Sequence, residues 1–421
     1  MSDAPPIAAL PSDDGALRQK IIGLHIWAVR KGLHGIDAAP LFDEFCQRLT
    51  DAGLPLWHAT AGMRTLHPQW GGYGYTWWRH PNPFEPRQFE RGDEFEQALL
   101  SSAIGYLIRQ AESSATPYTS LRRRLSGPDA RLDLPSLEPL AAAGATDYFA
   151  EVIGFGANAD ASRGTGIGYS FATDRPEGFH EDDLALLKAV LPVVSLAMMA
   201  HAGHKIASSL LEAYLGADAG HRVHAGAIER GSVESIHAVL WYADVRGFTA
   251  IADTTPGTAV VELLNKLFET MTASLRSRGG QVLKFLGDGM LAIFPFDDAT
   301  REETCHRALE GATEAMRAIG RLNAARGEVG RPAAAVDLAL HLGEVLYGNI
   351  GAIDRLDFTV IGPTVNEVAR IEALCEPLGR NILVSATLAA AIAGSPRLKS
   401  LGTHALRGVR EPREIYALDL A

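Results

Sequence analysis

The amino-acid sequence predicts an α+β protein of two domains joined by a helical linker. The chain has 421 residues, a length that accommodates two or three domains with sizeable hydrophobic cores. In the second half, short apolar segments typical of strands alternate with longer segments of helical periodicity. In the first half, aromatic strand-like segments lie between helical ones. We therefore expect helices packed on a sheet in each half.

The first half begins with residues 1–15, which are polar and proline-containing and are predicted to form a disordered tail. Apolar residues then recur at helical spacing, and Gly35 separates two predicted helices. Aromatic and β-branched residues mark the strands that follow. The predicted elements are helices at 17–33, 39–52 and 93–109, and strands at 54–66, 72–80, 147–155 and 166–173.

The segment FATDRPEGFHEDDLALLKAVLPVVSLAMMAH at 171–201 closes this half. It resembles the end of GAF-type sensor domains, in which a last strand leads through a proline-containing loop into a long helix. Its acidic start, Glu181 to Asp183, complements the positive end of the helix dipole. The resemblance implies a GAF-like α/β sensor domain at 16–203, whose regulator is an unknown small molecule or protein.

Three features of this domain have both a binding and a structural interpretation. The aromatic residues at 70–78 are typical of ligand surfaces, although a half-buried hairpin is favoured. The arginines at 122–124 could neutralise an anion, although a solvated helix face is favoured. The glycine-containing segment 154–168 lacks a dinucleotide-binding fingerprint and is predicted to be a loop.

Residues 204–235 are predicted to be a helical linker. Apolar side chains from Ile206 to Tyr214 fall on one side of a helix. They either pack on the sensor domain or form a short parallel coiled coil between two protomers. Gly216, Gly220 and Gly226 then interrupt the helix.

The second half, residues 236–421, is predicted to be an α/β sandwich with one sheet. Thr255 and Pro256 suit the start of its first helix, and Gly279 suits the end. The predicted order is strand 237–243, helix 256–278, hairpin 281–295, helix 300–326, strands 334–341 and 356–361, helix 364–376, strand 381–385 and a terminal strand pair.

Composition bounds the possible partners and compartment. The formal net charge of −11 argues against binding to nucleic acid or to an anionic membrane. Three widely spaced cysteines indicate reduced thiols rather than a disulfide framework. No signal peptide is apparent, and the longest apolar run, 189–200, is too short for a membrane span and contains Pro192. We therefore expect a cytoplasmic protein that binds neither nucleic acid nor membrane.

Two carboxylates in the second half suggest a metal site. Asp244 ends an apolar run, and Asp288 lies in a Gly-Asp-Gly turn between two apolar runs. Each has a structural alternative, because Asp-Gly is a favoured hairpin turn and Asp is common at strand ends. Together they would form an oxygen-rich site that suits Mg²⁺ or Mn²⁺ bridging substrate phosphates. Asn366 and Arg370 lie four apart, on one face of a helix.

The motifs ADVRGFT at 243–249, LKFLGDG at 283–289 and FTVIGPTVNEVARIE at 358–372 resemble the catalytic domain of class III nucleotide cyclases. The resemblance implies that Asp244 and Asp288 hold two divalent metals per active site. It implies further that Lys284 and Thr359 contact the base of the nucleotide. Pro363 departs from the Asp or Asn that many relatives carry, which stiffens the turn without removing a catalytic group.

The same resemblance assigns roles to three further residues. It implies that Asn366 orients the ribose, that Arg370 stabilises the transition state and that Arg407 lies near the triphosphate. A guanidinium suits charge on phosphoryl oxygens better than an ammonium does. An ion pair between Arg370 and Glu367 on the helix surface is the structural alternative.

The expected activity is conversion of ATP to 3',5'-cyclic AMP and pyrophosphate by two-metal-ion catalysis. Lys284 can donate to adenine N1 and Thr359 can accept from the 6-amino group, whereas guanine would require a carboxylate where Lys284 stands. The alternatives are a guanylate cyclase and a catalytically silent nucleotide-binding signalling module. Because family active sites form between two catalytic domains and this chain carries both residue sets, the resemblance implies a homodimer through the catalytic domains and linker, regulated by the N-terminal domain.

Overall fold

The computed structural model describes residues 15–80, 84–114, 118–155, 166–331, 333–392 and 397–419. The predicted tail at 1–15 lies outside the described residues except for Gly15, and so does most of the predicted loop at 154–168. The chain divides into two compact units at residues 210 and 211. Each contains one sheet with helices on both faces, and the predicted α+β class is thereby confirmed.

The N-terminal unit is built on a six-stranded antiparallel sheet with strand order β3-β2-β1-β6-β5-β4. Helices α1, α2 and α6 cover one face, and α4 covers the other. The elements are α1 (Gly15–Leu33), α2 (Ala38–Asp51), β1 (His58–Arg64), β2 (Trp70–Trp78), β3 (Glu85–Glu90), α3 (Asp93–Ser101), α4 (Ala103–Ser114), β4 (Tyr118–Arg124), α5 (Glu138–Ala142), β5 (Asp147–Gly154), β6 (Gly166–Thr173) and α6 (Glu181–Leu215).

The arginines at 122–124 lie on strand β4, so the prediction of a solvated helix face was wrong. Arg122 bonds the buried carboxylate of Asp147 on β5, with its Nη2 2.9 Å from Oδ2. Arg123 pairs with Asp133 at 2.8 Å. These charged side chains therefore join the edge strand to neighbouring segments through ion pairs. The prediction was wrong because a run of three arginines is also typical of an exposed helix face.

Helix α6 is long and apolar enough, by length and composition, to cross a membrane. Half of its most apolar window is buried within the protein. A buried core helix passes the same test, so this feature is weak evidence for a membrane. The predicted apolar run at 189–200 is one part of this 35-residue helix.

The C-terminal unit has an eight-stranded sheet in the order β13-β14-β12-β10-β7-β9-β8, with β11 pairing to the far part of β10. Helices α9, α10 and α12 pack on one face, and α7 and α11 on the other. The elements are α7 (Ala217–His224), β7 (Val233–Val245), α8 (Phe248–Thr254), α9 (Gly257–Ser277), β8 (Gln281–Leu286), β9 (Gly289–Phe296), α10 (Arg301–Glu328), β10 (Val336–Gly351), β11 (Leu356–Ile361), α11 (Pro363–Glu372), β12 (Ile382–Ser385), α12 (Ala386–Ala391), β13 (Leu398–His404) and β14 (Arg413–Leu418).

The centre of this sheet is the pair β7 and β10, which run antiparallel over thirteen residue pairs. Successive side chains of β7 point to opposite faces of the sheet, and those from Ala238 to Trp241 are all buried. A strand buried on both faces has little freedom to shift its register. The fixed register sets the position of the residues at the strand end, where Asp244 lies.

Candidate active site

Asp244 and Asp288 are brought together at one end of the central strands. Asp244 is the second-last residue of β7, and Asp288 occupies the tight turn between β8 and β9. Because β9 pairs with β7, the turn lies beside the strand end, with Ala243 opposite Met290. A Cβ added at Gly289 would lie 2.9 Å from Asp244 Oδ1, so glycine at this position leaves room for the Asp244 carboxylate as it lies here.

The electrostatics of the pair fit a cation site. Partial burial, together with the charge of Asp288, raises the pKa of Asp244 to about 6. Two carboxylates at close range repel each other, and a bound divalent cation would relieve that repulsion. Within the described residues no group of three His, Cys, Asp or Glu side chains forms a ready metal cage. Substrate oxygens or water would therefore have to complete the coordination, as Mg²⁺ sites commonly require.

A third carboxylate near the pair is already neutralised. Asp337 lies opposite Asp244 on β10 and is buried. Arg246 donates to Asp337, with Nε 2.8 Å from Oδ2, and also to the carbonyl oxygen of Arg380 at 2.9 Å. Asp337 is thus a structural partner of Arg246, whereas Asp244 forms no ion pair with any described residue.

Glu372, the last residue of α11, is a further acid near this end of the sheet. Burial raises its pKa to about 7, and the charges of Asp244, Asp337 and Asp288 add to the shift. The sequence reasoning missed Glu372, which lies two positions after Arg370. The feature that could have indicated Glu372 is an acidic residue on the partly buried side of a helix that the sequence analysis predicted.

Lys284 lies on the edge strand β8, and Thr359 lies on β11, which pairs with β10. The Lys284 Nζ donates to the carboxylate of Asp357, and both side chains are partly exposed. Asp357 and Thr359 are two residues apart on a strand, so they share a face. The sequence reasoning missed Asp357, because its partner lies on a strand distant in sequence.

Asn366 and Arg370 lie on helix α11, on the predicted single face. Glu367, the expected competitor for Arg370, instead accepts a hydrogen bond from Arg413 Nε at 2.9 Å. No carboxylate among the described residues forms an ion pair with Arg370. The surface ion pair between Arg370 and Glu367 is therefore not formed.

The loop between β13 and β14 approaches Arg370. Gly408 has a positive φ of 75°, and a Cβ there would lie 3.6 Å from the terminal nitrogens of Arg370. Arg407 precedes Gly408 and is exposed. No contact of Arg407 in the described residues tests the prediction that it lies near the triphosphate.

Within one chain, the site residues fall into separate groups. The two aspartates lie together, Lys284 contacts Asp357 on the strand that carries Thr359, and Arg370 lies beside the loop that carries Arg407. Across the described part of the chain, no hydrogen bond or ion pair links the aspartates to the other groups. The arrangement places a pair of carboxylates at one end of the sheet and, apart from it, side chains that can donate hydrogen bonds.

Comparison with known proteins identifies the C-terminal unit. Residues 232–419 match the family model described as the adenylate and guanylate cyclase catalytic domain. An adenylate cyclase of Anabaena cylindrica is 32% identical over 162 residues, which are 38% of this chain and 31% of that protein. Adenylate cyclase 2 of Rhizobium meliloti strain 1021 is 31% identical over 183 residues, or 43% of this chain and 49% of that protein. The chain thus spans less than half the length of these two relatives.

Two solved structures are similar to part of this chain. A bacterial light-regulated adenylyl cyclase is 25% identical, with 45% of this chain and 92% of that chain covered and a TM-score of 0.40. The guanylyl cyclase Cya2 is 27% identical, with 45% and 99% covered and a TM-score of 0.40. The family match begins at residue 232, so the GAF-like assignment of residues 16–203 stays a prediction.

Proposed function

Because residues 232–419 form a catalytic domain of the adenylate and guanylate cyclase family, we propose that the protein is an adenylate cyclase that converts ATP to 3',5'-cyclic AMP and pyrophosphate. The observation that carries the proposal is the convergence of Asp244 and Asp288 at one end of the central strands, where burial and then the charge of Asp288 destabilise the Asp244 anion. Such a pair would repel ATP on its own, so the site requires divalent cations.

Asp244 and Asp288 would hold two Mg²⁺ or Mn²⁺ ions per active site, and the ions would lower the pKa of a ligated hydroxyl and neutralise phosphate charge. In the proposed reaction the ribose 3'-oxygen forms a bond to the α-phosphorus and its proton passes to solvent. The bond from that phosphorus to the bridging oxygen breaks, and pyrophosphate leaves.

Arg370 is proposed to stabilise the charge that develops on the α-phosphoryl oxygens. Its freedom from carboxylate partners in the described part of the chain supports this role, because a paired guanidinium would be less available to a phosphate. Asn366, one helical turn earlier and exposed, is proposed to orient the ribose. Arg407, beside Gly408, is proposed to contact the triphosphate.

Lys284 and Thr359 are proposed to select adenine. Lysine offers only donors, which suit adenine N1, and the Thr359 hydroxyl can accept from the 6-amino group. The Asp357 carboxylate would hold the Lys284 ammonium in position. This contact also supports a second candidate, a guanylate cyclase, because a carboxylate at that place could accept from guanine N1.

A head-to-tail homodimer is proposed to complete each active site. In one chain no described hydrogen bond or ion pair joins the metal-binding pair to the base- and phosphate-binding groups. Phe285 and Leu286, which lie between Lys284 and Asp288, are large apolar side chains that are 49% and 39% exposed. Apolar side chains at such a position favour burial against a second subunit.

Regulation by the N-terminal half is also proposed, with a GAF-like sensor at 16–203, a linker at 204–235, a catalytic domain at 236–421 and a cytoplasmic location. Within the C-terminal unit, the linker is fastened to strand β10. The Tyr347 hydroxyl donates to Asp218 Oδ2 at 2.9 Å, and Asn349 Nδ2 donates to the Ala227 carbonyl oxygen at 2.7 Å. Because β10 pairs with β11, movement of the linker would reach the strand that carries Thr359.

The test is to incubate the purified full-length protein with Mn²⁺ and either ATP or GTP and to measure cyclic nucleotide by chromatography. We expect cyclic AMP from ATP and little cyclic GMP from GTP. Predominant cyclic GMP would establish the guanylate cyclase instead. No cyclic product from either nucleotide, with intact protein that binds Mn²⁺, would leave the silent nucleotide-binding module as the remaining candidate and reject catalysis.

A further inference from the structure

The N-terminal unit contains a cavity of about 270 Å³ that none of the proposed catalytic residues lines. Its floor is the face of the sheet formed by β1, β2 and β6, opposite to the face that packs on α1, α2 and α6. Its roof is formed by apolar side chains of α3 and α4, including Leu99, Ile104 and Ile108. A concave, largely apolar space of this size is typical of a small-molecule site.

The floor is a strip of three glycines that lie side by side on three adjacent strands. Gly62 of β1 pairs with Gly74 of β2 on one side and with Gly168 of β6 on the other. Because side chains at paired positions point to the same face of a sheet, the three missing side chains leave one continuous flat area. All three glycines line the cavity.

Gly74 and Gly168 have a packing reason to be glycine. A Cβ at Gly74 would lie 2.8 Å from the Phe89 ring, and a Cβ at Gly168 would lie 2.4 Å from Ile104. Both are too close for a real side chain, so these glycines allow the walls of the cavity to approach the sheet. Phe89 and Phe95, whose ring centroids are 5.6 Å apart, form an aromatic wall at this end.

Gly62 has no such reason. The nearest atom to a Cβ there is the Tyr73 carbonyl oxygen at 3.8 Å, and Gly62 is absent from the residues with positive φ. Glycine inside a strand weakens it by about 0.5–1 kcal/mol relative to alanine. A strand glycine that neither backbone conformation nor close packing requires indicates that the space above it is left for another molecule.

The polar groups around the cavity are few and electrically balanced. Arg64 pairs with Glu96, and Arg87 pairs with Glu85 at 2.8 Å, so each lining cation has its own carboxylate. The next row of the floor carries hydroxyls, where Thr60 lies between Thr76 and Ser170 and bonds the Ser170 hydroxyl at 2.7 Å. An uncharged ligand with one hydrogen-bonding substituent suits this lining better than an ion.

We propose that this cavity binds an uncharged, planar aromatic or heteroaromatic molecule whose ring lies flat on the glycine strip formed by Gly62, Gly74 and Gly168. A polar substituent of the ring would face the hydroxyls of Thr60 and Thr76, and its edge would meet the aromatic wall. The site is separate from the nucleotide chemistry of the C-terminal unit, and the proposal does not depend on it.

The probe for the full-length protein is 2-naphthol, which is flat, uncharged at neutral pH, fluorescent and carries one hydroxyl. We expect saturable binding by fluorescence titration. Two comparison compounds test shape and charge: decahydro-2-naphthol, which is puckered, and 2-naphthoate, which is an anion. Both should bind at least about tenfold more weakly than 2-naphthol, in line with the cost of forcing a poor fit into a packed space.

Gly62→Val is the decisive variant, because its side chain enters the open space above the strip. We expect binding of 2-naphthol to weaken by about tenfold or more while the melting temperature stays at or above that of the wild type. Gln88→Val, which adds the same side chain to an exposed position of edge strand β3, is the matched control and should bind normally. If Gly62→Val fails to fold, Gly62→Ala, for which the structure has room, gives the same test with a smaller loss.

Three results would overturn the proposal. One is the absence of saturable 2-naphthol binding to the wild type. Another is equal binding by wild type and the folded Gly62 variant, because the ligand would then lie elsewhere. The third is equal affinity for the puckered and the planar compound, since the flat strip would then select nothing.

Discussion

The candidate active site in the C-terminal unit and the cavity in the N-terminal unit both contain strand glycines, but the glycines act in opposite ways. Gly289 leaves room for the Asp244 carboxylate, whose Oδ1 lies 2.9 Å from the position that a Cβ would take. Gly62 removes a side chain where nothing approaches, and it leaves uncharged space. The difference shows that the structural role of a glycine depends on which atoms a side chain at that position would contact.

The largest effect should come from the charged member of this comparison. Asp288→Asn keeps the shape of the turn but removes one anionic metal ligand. We expect cyclic AMP formation with Mn²⁺ and ATP to fall on the order of 10³-fold, because metal stabilisation of transition-state charge is worth several kcal/mol. The measurement is the initial rate at saturating Mn²⁺.

Asp298→Asn is the matched control for that experiment, since it changes an exposed aspartate after β9 and should leave the rate within about twofold of wild type. Binding of 2-naphthol should be unchanged in both variants. A full rate in Asp288→Asn would remove Asp288 from the catalytic site.

A mixture of two inactive chains should restore activity if the site is shared. Asp288→Ala lacks the metal-binding group and Arg370→Ala lacks the phosphate-binding group. Random pairing gives half mixed dimers, and each has one intact site of two, so about a quarter of the wild-type rate is expected. Subunit exchange is verified by differently tagged chains. Exchanged dimers without recovered activity would contradict a head-to-tail shared site.

Asp357 should affect substrate binding more than turnover. In Asp357→Asn the Lys284 ammonium loses its carboxylate partner, and we expect the KM for ATP to rise about three- to tenfold with kcat nearly constant. The ratio of ATP to GTP turnover, measured in the same assay, reports whether Asp357 contributes to base choice. Asp354→Asn, an exposed aspartate just before β11, is the control. A fall in kcat with unchanged KM would assign Asp357 a role other than positioning.

More of the candidate active site than of the N-terminal cavity could be predicted from the sequence. Asp244 and Asp288 were predicted because apolar runs and glycines flank each of them in the sequence. The structure brings the two residues together. Asp357 was missed because its side chain meets that of Lys284, 73 residues away in sequence, only in the folded protein. The catalytic roles of all these residues remain predictions until the rates are measured.

The strands that the sequence analysis missed, β3 and β4, are the two edges of the N-terminal sheet. Edge strands carry charged side chains that prevent further pairing, so their composition does not show the alternation of a half-buried strand. The glycine strip was also invisible, because Gly62, Gly74 and Gly168 become neighbours only through strand pairing. The sequence alone does not reveal residues that become neighbours only through the pairing of distant strands.

The smallest predicted effect separates the two sites by their response to pH. In metal-free protein the pKa of Asp244 is raised to about 6, above its value in the unfolded chain. A carboxyl with a raised pKa binds its proton more tightly when folded, so its ionisation destabilises the fold as pH rises from about 4 to 6, and the loss persists above that window. Glu372, raised to about 7, acts in the same direction.

Burial is the largest cause of the raised pKa of Asp244, and Asp288→Asn removes the next largest, the charge of Asp288. We therefore expect metal-free Asp288→Asn to be more stable than wild type at pH 8 by about 1 kcal/mol, after discounting for solvent screening, and equal to it near pH 4. Thermal unfolding in the presence of a chelator measures this difference. Binding of 2-naphthol should not change over pH 5 to 8, because the ligand itself is uncharged over this range. A stability difference that is as large at pH 4 as at pH 8 would show that repulsion between Asp244 and Asp288 is not its cause.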